Sequence, residues 1–192
     1  MKRLCLTLFL LVILATSGFA NDKLALKASI GYSRWIPVDS DDINRGAVCL
    51  LGKFLYNLSP TTSIGIESGF FFWGRATGEI EGGGSWEETK TSIPFFLIAH
   101  FKIAGNEEEL CYYLNLGMGV HIVRGMRIVI KERKGWSTGF LGLLLTPGIE
   151  LYLSPALKLD IFVEIQYLGE FDFGGSGDES LILMIPSVGI RF

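Results

Sequence analysis

The stretch Leu157-Lys158-Leu159-Asp160-Ile161-Phe162-Val163-Glu164-Ile165-Gln166-Tyr167 decides the fold. Leu157, Leu159, Ile161, Val163, Ile165 and Tyr167 fall on one side of an extended chain, and Lys158, Asp160, Glu164 and Gln166 on the other, because successive strand side chains face opposite ways. One face is therefore continuously apolar while its back is charged. The same period runs through seven further segments. Leu24, Leu26, Ala28, Ile30 and Tyr32 alternate with Ala25, Lys27, Ser29, Gly31 and Ser33. Val48, Leu50, Phe54, Tyr56 and Leu58 back onto Lys53 and Asn57, and Ile64, Ile66, Phe70 and Phe72 onto Gly65, Glu67 and Gly69. Ile93, Phe95, Leu97, Ala99 and Phe101 oppose His100 and Lys102, and Tyr112, Leu114, Leu116, Met118, Val120 and Ile122 oppose Asn115, Gly117, Gly119 and His121. Leu141, Leu143, Leu145, Ile149 and Leu151 alternate with Gly142, Thr146, Gly148 and Glu150, and Ile182, Met184, Val188, Ile190 and Phe192 with Ser187, Gly189 and Arg191.

Eight alternating segments, an even number, close an antiparallel up-and-down barrel. Mean hydropathy is positive, yet after residue 20 no apolar run approaches the roughly 18 to 20 residues of a membrane-spanning helix. The apolar surface is thus distributed over strands, and the fold expected is a transmembrane eight-stranded β-barrel. Connections alternate in length. Short turns built on Ser59-Pro60, Gly105-Asn106 and Ser154-Pro155 follow segments 2, 4 and 6, and longer loops near residues 37–46, 74–88, 124–136 and 169–180 follow segments 1, 3, 5 and 7. Short periplasmic turns and long outer loops are the rule for outer-membrane barrels. Aromatics sort the same way: Tyr56, Phe101, Tyr112 and Phe192 fall at the inner ends, and Tyr32, Phe70, Phe72, Phe95 and Tyr167 at the outer ends, as lipid-facing rings do at membrane interfaces. Pro94, Pro147 and Pro186 fall inside segments, where a proline removes a ladder donor, so bulges or strand ends are expected there.

Lys2 and Arg3, the apolar run Leu4 to Ala15 and the small-residue end Gly18-Phe19-Ala20 have the build of a cleaved secretory signal. Residues 1–20 are expected to be removed, leaving residues 21–192 as one barrel domain. The chain carries 17 basic and 20 acidic residues, a net charge of −3, and loss of Lys2 and Arg3 takes this to −5; nucleic-acid binding, which needs a basic footprint, is excluded as a reading. Cys49 and Cys111 fall near opposite ends of different segments, too far apart for a bridge, and two free thiols are expected.

An eight-stranded barrel is narrow enough for its own side chains to fill. The inward set Lys27, Lys53, Glu67, His100, Lys102, Glu150, Lys158, Asp160, Glu164 and Arg191 is nearly balanced in charge and reads as a paired polar core. A hairpin centred on Pro60 opposes Lys53 to Glu67, and a turn centred on Ser154 would oppose Glu150 to Lys158. Gly65, Gly69, Gly117, Gly119, Gly148 and Gly189 are expected to make room for the long charged chains. No catalytic, cofactor or metal set is legible. Asp39, Asp41 and Asp42 lack the full calcium-loop pattern. Lipid A deacylases use a His and a Ser two residues later on the lipid-facing wall, but Lys102 and Val123 stand at those places after His100 and His121. Between segments 5 and 6, Arg124, Arg127, Lys131, Arg133 and Lys134 against Glu132 form a basic candidate contact for lipopolysaccharide phosphates or another anionic surface, while Glu170, Asp172, Asp178 and Glu179 make the last loop acidic.

These residues resemble the small outer-membrane β-barrel family typified by the OmpA membrane domain and OmpX, over essentially all of residues 21–192. The most specific element is Ser187-Val188-Gly189-Ile190-Arg191-Phe192, in which Val188, Ile190 and Phe192 are similar to the family's assembly signal; Gly117-Met118-Gly119-Val120 and Ile93-Pro94-Phe95-Phe96 are weaker matches. The resemblance implies a monomeric protein of the bacterial outer membrane, handled by periplasmic chaperones and the barrel-insertion machinery, and surrounded by outer-membrane lipid and lipopolysaccharide. It also implies a non-enzymatic structural or surface-interaction role in envelope integrity, adhesion or host contact, with no cofactor. The alternatives are a narrow channel for small or hydrophobic solutes, as in OmpW-like barrels, and a lipid A-modifying enzyme.

Overall fold

The computed structural model describes residues 23–37, 46–79, 85–106, 109–129, 132–154, 157–170 and 180–192. Eight strands run in chain order: β1 (Leu24–Pro37), β2 (Gly46–Asn57), β3 (Thr62–Glu79), β4 (Ser85–Asn106), β5 (Leu110–Val129), β6 (Glu132–Ser154), β7 (Leu157–Glu170) and β8 (Ser180–Arg191). Each pairs antiparallel with the next, and β8 returns to β1, so the sheet is a closed barrel without an edge. The signal segment, most of the first and last outer loops and the Asp39, Asp41 and Asp42 group lie outside the described residues.

Side-chain facing follows the alternation in every strand. Ile30, Leu50, Leu97, Met118 and Leu143 are each more than half exposed on the outside, whereas Glu67, Asp160, Glu164, His100 and His121 have no accessible surface inside. An exterior of hydrocarbon around an interior of charge is stable only where the outer solvent is lipid. The wall is girdled at one end by exposed Tyr56, Phe101 and Tyr112 and at the other by Tyr32, Phe70, Phe72, Phe95 and Tyr167.

Three features differ from the sequence expectation. First, the outer loops near 74–88 and 124–136 are mostly strand. The ladder continues to Glu79↔Ser85, Trp86↔Val129 and Val129↔Glu132, so β3 to β6 continue as one four-stranded sheet beyond the barrel. β4 and β6 have 22 and 23 residues, about twice what a tilted crossing requires. Above the membrane both faces meet water, so hydrophobic alternation fades while backbone pairing persists.

Second, the three prolines produce no bulge. Pro94 pairs with His121, Pro147 with Leu114 and Pro186 with Val163 in continuous register. On the other side of each, two successive pairings drop out and the ladder resumes unshifted, as from Leu145↔Ile165 to Gly148↔Phe162. A strand residue aims its N–H at one neighbour only, so proline costs one ladder a bond and leaves the other intact. The register shifts fall elsewhere, between Phe72 and Arg75, Lys102 and Ala104, and Tyr152 and Ser154.

Third, the inward glycines do not chiefly house charged chains. A Cβ on Gly148 would run into the ring of Tyr113, one on Gly117 would come within 2.9 Å of Ile98, and one on Gly69 within 2.7 Å of Leu51. The room they leave is taken by aromatic and aliphatic inward neighbours and by close backbone approach.

Space around two glycines of β6 gives a direct test. A Cβ on inward Gly142 would lie 2.7 Å from Leu168 and 2.9 Å from Phe96, both buried, whereas one on Gly139 has nothing within 4 Å. Gly142→Leu is expected to destabilise the barrel by about 1 to 3 kcal/mol through overpacking, and Gly139→Leu to stay within about 0.5 kcal/mol of wild type. Urea titration of the refolded protein in lipid vesicles, followed by tryptophan fluorescence, measures both.

Candidate functional site in the barrel interior

The inward positions of all eight strands converge on two groups of charge. The first is toward the periplasmic end. There β6 and β7 bring Glu150 opposite Asp160, not opposite Lys158 as a turn centred on Ser154 would have it. The register is centred one residue later than Ser154, which moves the partner of Glu150 by two residues and sets two carboxylates side by side. β1 and β8 supply the cations. Lys27 Nζ lies 2.7 Å from Glu150 and 3.2 Å from Asp160, and Arg191 Nη1 donates to both oxygens of Glu150 at 2.8 and 2.9 Å. Tyr113 Oη donates to Asp160 at 2.6 Å, and its ring lies 4.0 Å beneath Lys27 Nζ. Two cations meet two carboxylates here.

The second group lies further out. The hairpin centred on Pro60 holds Lys53 directly opposite Glu67, at 2.6 Å between Nζ and Oε2. Lys53 also donates to Glu164 Oε2 at 3.1 Å. From Glu164 a hydrogen-bonded relay runs outward, and its direction is fixed by the groups that can act in only one sense. Gln166 Nε2 donates to Glu164 at 2.6 Å, which leaves Gln166 Oε1 to accept from His121 Nδ1 at 3.0 Å. Trp73 Nε1 donates to Ser92 Oγ at 2.9 Å, and Ser92 Oγ is hydrogen-bonded to His121 Nε2 at 2.7 Å. With Gln166 Oε1 accepting, His121 carries a proton on Nδ1. Lys53 further stands 4.6 Å over the ring of Phe162.

His100 sits between the groups. Its Nδ1 is 2.7 Å from Asn115 Oδ1 and its ring 4.9 Å from that of Tyr113. Towards the outer end the inward positions are taken by Phe71, Trp73, Phe96, Phe140, Leu168 and Leu183, all buried. Of the ten inward polar residues expected from the sequence, Lys27, Lys53, Glu67, His100, Glu150, Asp160, Glu164 and Arg191 are buried, while Lys102 and Lys158 are half-buried at the periplasmic rim. Tyr113, Ser92, Trp73 and Gln166 complete the networks and were not among those candidates. Parity alone places Tyr113 and Gln166 inside; Ser92 and Trp73 stand where the strands outrun a single membrane crossing.

Of the basic group, Arg124 is exposed on β5 and Lys134 on β6. Arg127 and Arg133 lie on the same two strands, and Lys131 is outside the described residues. Val188, Ile190 and Phe192 share the outward parity of the last strand, and Phe192 exchanges backbone bonds with Leu26 of β1 at 2.8 and 3.2 Å. Cys49 and Cys111 are buried free thiols. Among the described residues no group of His, Cys, Asp and Glu is arranged to hold a metal ion.

No family model matches the chain, and no curated protein matches it in sequence. Solved structures do match it in backbone. Neisserial surface protein A superposes with a TM-score of 0.60 at 10% identity, over 88% of this chain and 96% of that one. Ail, the attachment invasion locus protein of Yersinia pestis, in complex with the heparin analogue sucrose octasulfate, gives 0.55 at 16% identity, over 88% and 99%. The fold is that of the small outer-membrane β-barrels. A major outer membrane protein from Thermus thermophilus extends the likeness, with a TM-score of 0.52 at 15% identity over 87% and 98% of the two chains. In a small outer-membrane barrel the inward charges face a bore lined by the chain's own atoms, so their pairing decides whether the bore is open.

Removing one partner from such a network leaves the others buried and unpaired, which costs about 3 to 5 kcal/mol. Lys53→Met, which strands Glu67 and Glu164 together, is expected to lower stability by that amount in urea titration. Adding Glu67→Gln and Glu164→Gln to the same chain is expected to recover most of the loss.

Proposed function

We propose that the protein is an integral component of the bacterial outer membrane, a non-enzymatic barrel with a closed, charge-paired interior that works through the sheet it raises above the membrane. The observation that carries this reading is the burial of the inward side chains. The two ion groups and the aromatic layer outside them occupy inward positions of all eight strands, and their members have almost no accessible surface. An open solute path would require those ion pairs to separate in a low-dielectric interior, which is costly.

The surface role is supported by the four-stranded extension of β3 to β6. It presents exposed Arg124 and Lys134 beside the Arg75 and Glu87 pair and the Lys90 and Glu88 pair, the latter at 3.5 Å. No nucleophile and base lie within bonding reach of one another on the lipid-facing wall among the described contacts; both histidines are engaged inside with Asn115, Gln166 and Ser92. Orientation follows from the connections, the short ones facing the periplasm and the extended sheet facing out.

Planar-bilayer recording of the refolded protein tests the reading. A barrel shown folded by its heat-modified gel mobility is expected to give no steady single-channel conductance. Steady conductance from such a barrel would overturn the closed interior in favour of the narrow-channel alternative. Mass spectra of lipid A from cells with and without the protein are expected to be identical, and a protein-dependent mass change would make it an enzyme.

A further inference from the structure

The lipid-facing wall is not uniformly convex. Across β4 to β7 it is indented by a groove of about 700 Å³ walled by Phe95, Leu97, Met118, Leu141, Leu143 and Tyr167, with the backbone of Gly119 and Gly142 as its floor. Register explains it. The lower row of outward positions is filled, Leu97, Met118, Leu143 and Tyr167 standing side by side. The row above runs Phe95, Val120, Leu141 and then Gly169. Gly169 stands where a fourth lipid-facing side chain would, and a Cβ there would meet nothing within 4 Å. The volume lies in the range of small-molecule sites, and the lining is almost wholly hydrocarbon.

Depth and charge narrow the occupant. Phe95 and Tyr167 belong to the outer aromatic girdle, so the groove lies at the level of the outer leaflet. Arg124 is exposed on the same outward column of β5 as Val120, four residues nearer the outside, about 13 Å at roughly 3.3 Å per residue. Its cross-strand neighbours Thr91 and Ser137 are uncharged. The nearby carboxylates of β4, Glu87 and Glu88, are engaged by Arg75 and Lys90. An apolar slot below a guanidinium that meets no carboxylate among the described residues suits a hydrocarbon chain ending in a phosphate, which arginine binds through a two-pronged donor set. We propose that the groove seats an acyl chain of lipid A, the phosphorylated glycolipid of the outer leaflet, and that Arg124 takes its phosphate. This rests on the outer-membrane orientation given above, and it assigns a specific lipid to a wall otherwise bathed in any lipid.

The experiment is native mass spectrometry of the full-length protein, purified from outer membranes in mild detergent and titrated with bis-phosphorylated lipid A, dephosphorylated lipid A or phosphatidylethanolamine. Wild type is expected to retain one lipid A and to prefer it to phosphatidylethanolamine. Gly169→Phe and Leu143→Trp, which fill the groove from different walls, are each expected to weaken retention about tenfold by denying the chain its apolar contact. Arg124→Gln is expected to weaken binding of the bis-phosphorylated form about tenfold, the loss of a charged hydrogen bond, and to leave the dephosphorylated form unchanged. Heat-modified gel mobility scores folding for every variant, so a variant that fails to fold is replaced by the other. Unchanged retention in folded groove variants overturns the proposal, as does equal retention of phosphatidylethanolamine. So does a wild-type dimer, abolished by Gly169→Phe, which would make a second copy the occupant. None of these outcomes alters the bilayer recording, so the closed-interior reading stands or falls separately.

Discussion

Hydrocarbon offers no hydrogen bonds, so every backbone N–H and C=O at membrane depth must find its partner within the protein. From that single demand the rest of the architecture follows. Strands can meet it only by pairing on both sides, and both-sided pairing of a finite sheet means closure. β8 therefore has to reach β1, which it does from Lys27↔Arg191 to Pro37↔Leu181. Closing eight strands fixes a bore too narrow to stay empty, and the alternation of side chains delivers to it half the residues of each strand. The three prolines mark the tolerance of the rule. Each gives up bonding on one side only, and in each case the register on both sides survives.

The enclosed charge turns the usual logic of a protein interior around. Water-soluble domains bury hydrocarbon and expose charge; here the hydrocarbon is outside and ionisable groups from all eight strands are enclosed. Enclosure is tolerable because the charges are answered locally. Glu150 is met by both Lys27 and Arg191, Asp160 by Lys27 and Tyr113, and Glu164 by Lys53 and Gln166. Individual bonds in each group join strands that are not neighbours: Lys27 of β1 meets Glu150 of β6 and Tyr113 of β5 meets Asp160 of β7 in one, and Lys53 of β2 meets Glu164 of β7 in the other. The ladder binds adjacent strands, and the ion groups tie opposite walls.

Much of this was legible in the sequence because the period of two is strict where lipid lies on one side and charge on the other. The outward and inward sets, the strand count, the Lys53 and Glu67 pair and the unbridged state of both cysteines follow from parity and turn position. The Glu150 pairing did not, since a hairpin centred one residue later than Ser154 leaves no compositional trace yet moves the opposite residue by two, from Lys158 to Asp160. Ser92 and Trp73 were missed because each stands one residue beyond the outward alternation that marks its segment, next to Ile93 and Phe72, although both are buried inside the barrel. The groove was invisible for a different reason: Gly169 becomes a gap only when register sets it beside Phe95, Val120 and Leu141.

The seam between first and last strand has a further consequence in time. Glu150 and Asp160 lie on β6 and β7, but the cations that answer them come from the two ends of the chain, Lys27 on β1 and Arg191 on β8. Until those ends join, a partly assembled sheet holds two adjacent carboxylates with no counter-charge and two open edges. Closing the ladder and neutralising these carboxylates are therefore one event: the seam that removes the last open edges also delivers both counter-charges.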